Sequence, residues 1–118
     1  MAFPAENIRD WRTHDVVDKA GEKIGSLESI YFDTGTDEAA FASVRVGLLT
    51  HRLVFVPLNG AVVAPDYLKV WIDKKAIKDA PSIDPDGELA REDEPALYQY
   101  YGLPYTPGAG GERRLGRR

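Results

Sequence analysis

The sequence predicts a mostly β fold, a small barrel or sandwich of about six short strands with one helix after them. Between Val16 and Asp73, short apolar segments recur and are separated by turn signals such as Asn59-Gly60. Short strands at this spacing are typical of small barrels and sandwiches. Apart from one helical turn at residues 74–79, a single later segment, from about Glu92 to Tyr101, has helical spacing. The predicted strands are Val16–Asp18, Ile24–Asp33, Phe41–Gly47, Arg52–Leu58, Ala61–Val63 and Leu68–Asp73.

The second and third predicted strands form the start of the sheet. The second is the longest and contains Gly25 close to its beginning. A glycine inside a strand favours a bulge or a sharp bend, which small barrels need in order to close. The third strand alternates cleanly, with Val44 and Val46 on the inward face and Arg45 on the outward face.

The fourth predicted strand is apolar on both faces. Leu53 and Phe55 point opposite to Val54 and Val56. Such a strand must be covered twice, so we expect either the C-terminal helix or a second subunit on its outer face. Pro57 cannot donate a ladder hydrogen bond and is expected at the strand end or on an edge.

The last predicted strand completes the core. Asn59-Gly60 predicts a tight turn, since both residues tolerate positive φ. In the strand that follows, Leu68, Val70 and Ile72 face inward and Trp71 faces outward. The predicted core is therefore Val44, Val46, Val54, Val56, Leu68, Val70 and Ile72.

A helix and a tail follow the strands. Residues 74–79 predict one helical turn, and a proline-rich connector leads to the helix at about 92–101. Asp93 or Glu94 is expected to cap that helix, with Pro95 in its first turn. The predicted organisation is a lead-in (1–10), a β-barrel (11–80), a connector and helix (81–103), and a flexible Gly- and Arg-rich tail (104–118).

Composition excludes several classes of protein. The chain has 118 residues and no cysteine, which excludes disulfides, thiolate catalysis and Cys-ligated metal centres. No apolar run approaches the ~20 residues that span a bilayer, and Met1 to Trp11 lacks a run of signal-peptide length. We therefore expect a soluble cytoplasmic protein without membrane insertion.

Charge is distributed unevenly along the chain. The net charge is −4, and Glu112 to Arg118 holds four arginines and one glutamate, a charge of +3, which leaves −7 for the remainder. An acidic body disfavours nucleic-acid binding through the folded domain. The tail Arg113–Arg118 is either a solvated end or a contact for nucleic acid.

No catalytic, cofactor-binding or metal-ligating set is predicted. His14 and His51 are the only histidines, and neither has an evident partner for acid–base work. Asp33 to Glu38 gathers oxygen ligands around a glycine but lacks the full spacing of a calcium loop. We interpret that segment as a polar hairpin loop.

The remaining candidates form an interface rather than an active site. Large apolar side chains are placed where a one-layer barrel would leave them exposed, so they either complete the core or form a protein–protein patch. A two-fold homodimer is the commonest way to cover such a patch. The candidate interface residues are Leu48, Leu49, Leu53, Phe55 and Trp71.

Several motifs in order resemble the PRC-barrel family. Its members include the cytoplasmic domain of the photosynthetic reaction-centre H subunit, the C-terminal domain of the ribosome maturation factor RimM, and small stand-alone bacterial proteins. The resemblance covers about residues 9–103. It rests on Val17-Asp18-Lys19-Ala20-Gly21-Glu22-Lys23-Ile24-Gly25, Ile30-Tyr31-Phe32-Asp33, Val44-Arg45-Val46-Gly47, Val54-Phe55-Val56-Pro57-Leu58, Asp79-Ala80-Pro81 and Leu97-Tyr98-Gln99-Tyr100-Tyr101-Gly102-Leu103.

The resemblance implies a small, strongly bent β-barrel that serves as a docking and assembly module without general catalytic activity or a cofactor. We expect a self-associating interaction module. The alternative, by analogy with RimM, is a ribosome- or RNA-associated accessory factor. The chain has neither the transmembrane helix of the H subunit nor the N-terminal domain of RimM, so neither specific role transfers directly.

Overall fold

The computed structural model describes residues 14–47, 52–83 and 88–117. The fold is mostly β with a C-terminal helix, as the sequence predicts. Its described residues include the α-helices α1 (Lys74–Lys78) and α2 (Glu94–Tyr100). The strands within these segments are β1 (Asp15–Val17), β2 (Lys23–Asp33), β3 (Ala39–Val46), β4 (Arg52–Pro57), β5 (Val62–Val63), β6 (Tyr67–Lys69), β7 (Ser82–Ile83) and β8 (Leu115–Arg117).

The strands form one sheet in the order β5-β6-β1-β2-β3-β4-β7, with β8 added beside β2. β1 and β6 run parallel, and the other pairs are antiparallel. One edge of the long strand β2 is shared: β1 pairs with its first half and β8 with its last three residues. Over the described residues the sheet does not close, and β5 and β7 are its two ends.

The bend predicted near Gly25 is confirmed. The register of β1 against β2 shifts beside this residue, where Val16 pairs with Gly25 and Val17 pairs with Lys23. A Cβ atom at Gly25 would lie 2.1 Å from the carbonyl oxygen of Arg45 on β3. Glycine is therefore required here because two strands approach more closely than any side chain allows.

Two apolar cores lie on opposite faces of the central strands. The first is enclosed by the bent sheet and α1, and includes Val16, Ile30, Val54 and Ile77. Five of the seven predicted core residues are buried there, while Val46 and Ile72 are partly buried against it. The second core consists of Tyr31, Phe41, Phe55, Leu89, Leu97, Tyr98 and Leu115.

The second core covers the outer face of β4. Leu97 and Tyr98 of α2 and Leu115 of β8 pack on this face. The ring centroids of Tyr31 and Phe55 lie 5.2 Å apart in an edge-to-face arrangement, as do those of Phe41 and Tyr98. Such pairs contribute about 0.5–1.5 kcal/mol beyond the area they bury. The outer face is thus covered by the C-terminal part of the same chain.

The prediction of a flexible tail at 104–118 is wrong for the described part of that segment. Leu115 is fully buried, and β8 pairs with Asp33 and its two preceding residues. The backbone N–H of Thr34 also donates to the Arg114 carbonyl at 2.8 Å. Glycine-rich composition suggested a linker, but the open edge of β2 supplies the hydrogen-bond partners that order the segment.

Glu94 is the buried anchor of this C-terminal segment. Its carboxylate is fully buried and accepts hydrogen bonds from the N–H groups of Arg114 and Leu115, both at 2.9 Å, and from the Tyr105 hydroxyl at 2.7 Å. Burial, together with this bond to a carboxylate, raises the pKa of Tyr105. The expected helix cap is absent: Asp93 occupies the N-cap without a side-chain bond, and Glu94 holds the tail instead.

Asp33 ties the tail to the hairpin loop. One carboxylate oxygen accepts from the N–H groups of Gly35 and Thr36, and the other lies 2.7 Å from Nε of Arg114. Burial would raise the pKa of Asp33, but these hydrogen bonds outweigh it and lower the pKa. The loop is a polar turn, and the described residues contain no cluster of three potential metal-ligating side chains.

Candidate interaction surface

The predicted interface residues differ in whether the structure describes them and in whether they are buried. Leu48 and Leu49 lie outside the described residues. Leu53 and Phe55 are buried within the chain, with exposed fractions of 2% and 1%, so neither is available to a partner and the interface prediction is wrong for both. Trp71 has an exposed fraction of 63% and remains a candidate.

Trp71 belongs to an apolar surface that the sequence did not predict as a unit. Val62 on β5 is 56% exposed, and Tyr67 on β6 is 40% exposed. With Trp71 they form what we call the hairpin face, on the outer side of the β5–β6 hairpin. Trp and Tyr are over-represented among the residues that dominate protein–protein binding.

The alternation of β6 places these side chains outward. Leu68 and Val70 are buried, whereas Tyr67 and Trp71, at the odd positions, are exposed. Val62 pairs with Lys69 across the hairpin, which puts it on the same outward face. The predicted strand began one residue too late to include Tyr67, although its alternation with Leu68 is visible in the sequence.

The tight turn at Asn59-Gly60 lies next to Trp71. The N–H of Ala61 donates to the Leu58 carbonyl at 3.0 Å, which closes the turn. Gly60 has φ +75°, and a Cβ atom there would lie 3.5 Å from Cβ of Trp71. Trp71 therefore lies beside this turn, in which Gly60 adopts the left-handed conformation.

The hairpin face adjoins an open strand edge. Within the part of the chain that the structure describes, β5 pairs with β6 alone and ends the sheet. An edge strand presents backbone N–H and C=O groups that another chain can pair with. Among the described segments, β5 thus combines an unpaired strand edge with exposed apolar side chains.

Other exposed aromatic and basic groups are engaged inside the protein. The Tyr100 hydroxyl donates to the Ala76 carbonyl at 2.6 Å, which links α2 to α1. Arg113 forms an ion pair with Glu88 at 2.9 Å, and Arg114 is paired with Asp33. These two arginines of the tail therefore serve intramolecular contacts, which does not favour a nucleic-acid site.

The buried hydroxyl groups have a structural role. Ser29 and Ser43 face each other across β2 and β3, and their Oγ atoms lie 2.7 Å apart in a buried hydrogen bond. In the described segments, no buried side-chain nitrogen or oxygen lacks a hydrogen-bond partner. This hydrogen bond satisfies the two buried hydroxyl groups between the strands.

His51 lies outside the described residues.

Comparison with known protein families identifies the family of this chain. A family model for the PRC-barrel domain matches residues 4–78, which is more than half of the chain. The match ends at the last residue of α1, whereas the resemblance was expected to extend to about residue 103. A search of curated proteins finds no match. Among the described residues, no helix has the length and apolar character needed to cross a bilayer.

Proposed function

Because this chain belongs to the PRC-barrel family, we propose that it is a non-catalytic interaction and assembly module that pairs with a second copy of itself through the hairpin face. PRC-barrel domains are generally non-catalytic modules. The observation that carries the proposal is the exposed Trp71 beside the open edge of β5.

A second copy fits this surface because one patch can serve both partners. In an isologous pair, the same residues of each copy meet across a two-fold axis. Antiparallel pairing of two β5 strands would join the two sheets and place Val62 and Trp71 of both copies in one apolar cluster. An exposed tryptophan buries a large area when it is covered, and this burial drives association.

The outer face of β4 does not compete for this role. Phe55 already packs against Tyr31 inside the second core. The apolar surface that remains for a partner among the described residues is concentrated on the hairpin. The proposed contact thus leaves both cores of the chain intact.

The Trp71→Glu substitution tests the proposal. We expect wild-type protein to shift from monomer to dimer as its concentration rises, measured by sedimentation equilibrium. Because Trp71→Glu places a charge in the centre of the interface, it should weaken dimerisation by about tenfold or more. Gln99→Glu adds the same charge on the exposed side of α2 and should leave association unchanged. A wild-type monomer at all concentrations, or equal effects of the two substitutions, would contradict the proposal.

A further inference from the structure

A basic cleft lies between β2, β3, β4 and α1, apart from the hairpin face. Its volume is about 340 Å³, and Ile24, Val46 and Ile77 form an apolar part of its wall. It continues past Lys74 into a more open depression of about 570 Å³ that Lys23 and Arg45 also line. These volumes are in the range of small-molecule sites.

Cations surround the smaller cleft in a chain whose net charge is −4. Arg52, Lys74 and Lys78 line it, with Asp79 as the one carboxylate among its described lining residues. Lys74 and Lys78 are four residues apart, so they lie on one side of α1. This concentration of positive charge is unexpected in an acidic protein and favours an anionic ligand.

Neither lysine forms an ion pair among the described residues, although the Asp18 carboxylate interacts electrostatically with Lys74. Two ion pairs of the described residues, Lys23 with Asp15 and Arg45 with Glu28, involve cations that line the neighbouring depression. The other two described pairs involve Arg113 and Arg114. The backbone N–H of Lys74, not its ammonium group, donates to Asp18. Three cationic side chains and one described carboxylate, that of Asp79, therefore line the cleft.

Arg52 is held in place at the same cleft. Its Nη2 atom donates to the Lys78 carbonyl at 2.6 Å, which fixes the guanidinium at the end of α1. A guanidinium has five N–H donors in a rigid fork, so this one bond leaves others for an anion. Arginine in such a fixed position is well suited to phosphate oxygens.

We propose that this cleft binds a small organic phosphate, with the dianionic phosphate at Lys74, Lys78 and Arg52 and its apolar substituent on Ile24 and Val46. The three cations outnumber the one described carboxylate of the lining, and this excess of positive charge favours a phosphate dianion. The apolar wall favours a phosphate that carries a hydrocarbon or aromatic group over the free ion.

Titration of the full chain with phenyl phosphate, followed by amide chemical shifts, tests the proposal. We expect saturable shifts at Ile24 and Gly47, tighter binding than for inorganic phosphate or phenol, and weaker binding as salt rises. The double variant Lys74→Gln/Lys78→Gln should bind phenyl phosphate about tenfold or more weakly, because it removes two of the three cations that line the smaller cleft. Lys75→Gln, an exposed lysine of α1 that does not line the cleft, is the matched control and should bind as wild type.

Several results would overturn the proposal. They are the absence of saturable binding, unchanged affinity in the double variant, an equal loss in Lys75→Gln, or equal affinity for inorganic phosphate or phenol. The Trp71→Glu variant should still bind phenyl phosphate, since the cleft and the hairpin face share no residue. The two proposals can therefore fail separately.

Discussion

Removal of residues 104–118 is expected to lower the melting temperature by about 10 °C or more. The deletion exposes the second core where Leu115 is buried and removes the pairing of β8 with β2. It also takes away every hydrogen-bond donor described for the buried Glu94 carboxylate. A buried leucine contributes about 1.5–3 kcal/mol and each lost hydrogen bond about 1 kcal/mol, so the expected loss is about 4 kcal/mol or more.

A control substitution in the same segment tests whether any change in the tail lowers the melting temperature. Glu112 is exposed, and only its backbone carbonyl takes part in a described hydrogen bond, from Gly108. Glu112→Ala should therefore leave the melting temperature unchanged within about 2 °C. If the truncated protein melted as wild type does, the packing of β8 on the sheet would not contribute to stability.

Glu94→Ala is expected to lower the free energy of unfolding by about 3 kcal/mol, measured by urea denaturation. The substitution leaves the buried N–H group of Leu115 and the neighbouring N–H group of Arg114 without their acceptor, and an unsatisfied buried donor costs about 1–3 kcal/mol. Glu94→Gln keeps one acceptor oxygen and offers its amide to the Tyr105 hydroxyl. It should therefore cost less than the alanine variant.

Glu92→Ala is the control for this substitution. Glu92 is exposed in the turn just before α2, and its side chain makes no described hydrogen bond. We expect its free energy of unfolding to stay within about 0.5 kcal/mol of wild type. Equal losses for the two alanine variants would show that Glu94 does not anchor the tail.

The sequence predicted the elements whose signals are local. Alternation and turn residues placed β3 and β4 to within two residues, and Pro57 ends β4 as expected. The apolar character of both faces of β4 also showed that a second layer had to cover it. These features depend on neighbouring residues, so a single sequence contains them.

The C-terminal segment could not be predicted in the same way. In β8, glycine and arginine follow Leu115, which is the strand's only large apolar residue. The segment forms a strand because the edge of β2, about 80 residues away in sequence, pairs with it. Glu94 stands where a helix cap is expected, and only the tertiary fold brings the donors of Arg114 and Leu115 to it. Long-range partners overrode the local signals in both places.

The candidate surface was predicted only in part, because long-range contacts decide which of its apolar residues are covered. Trp71 was expected outward from alternation alone, and the structure places it so. The outer face of β4 was expected to be covered by either the C-terminal helix or a second subunit, and Phe55 on that face packs with the C-terminal segment of the same chain. The basic cleft depends on the approach of α1 to β4, which no local pattern indicates.

The most direct test of the central proposal, self-association through the β5–β6 hairpin, is amide hydrogen exchange measured at low and high protein concentration. We expect protection of the amides in residues 60–71, those of Val62 and Val63 above all, to rise with concentration as two hairpins pair. Protection of residues 31–33 and 115–117 should not change, because β2 and β8 pair within one chain. Protection of the hairpin that is independent of concentration, or a rise confined to another surface, would contradict the account.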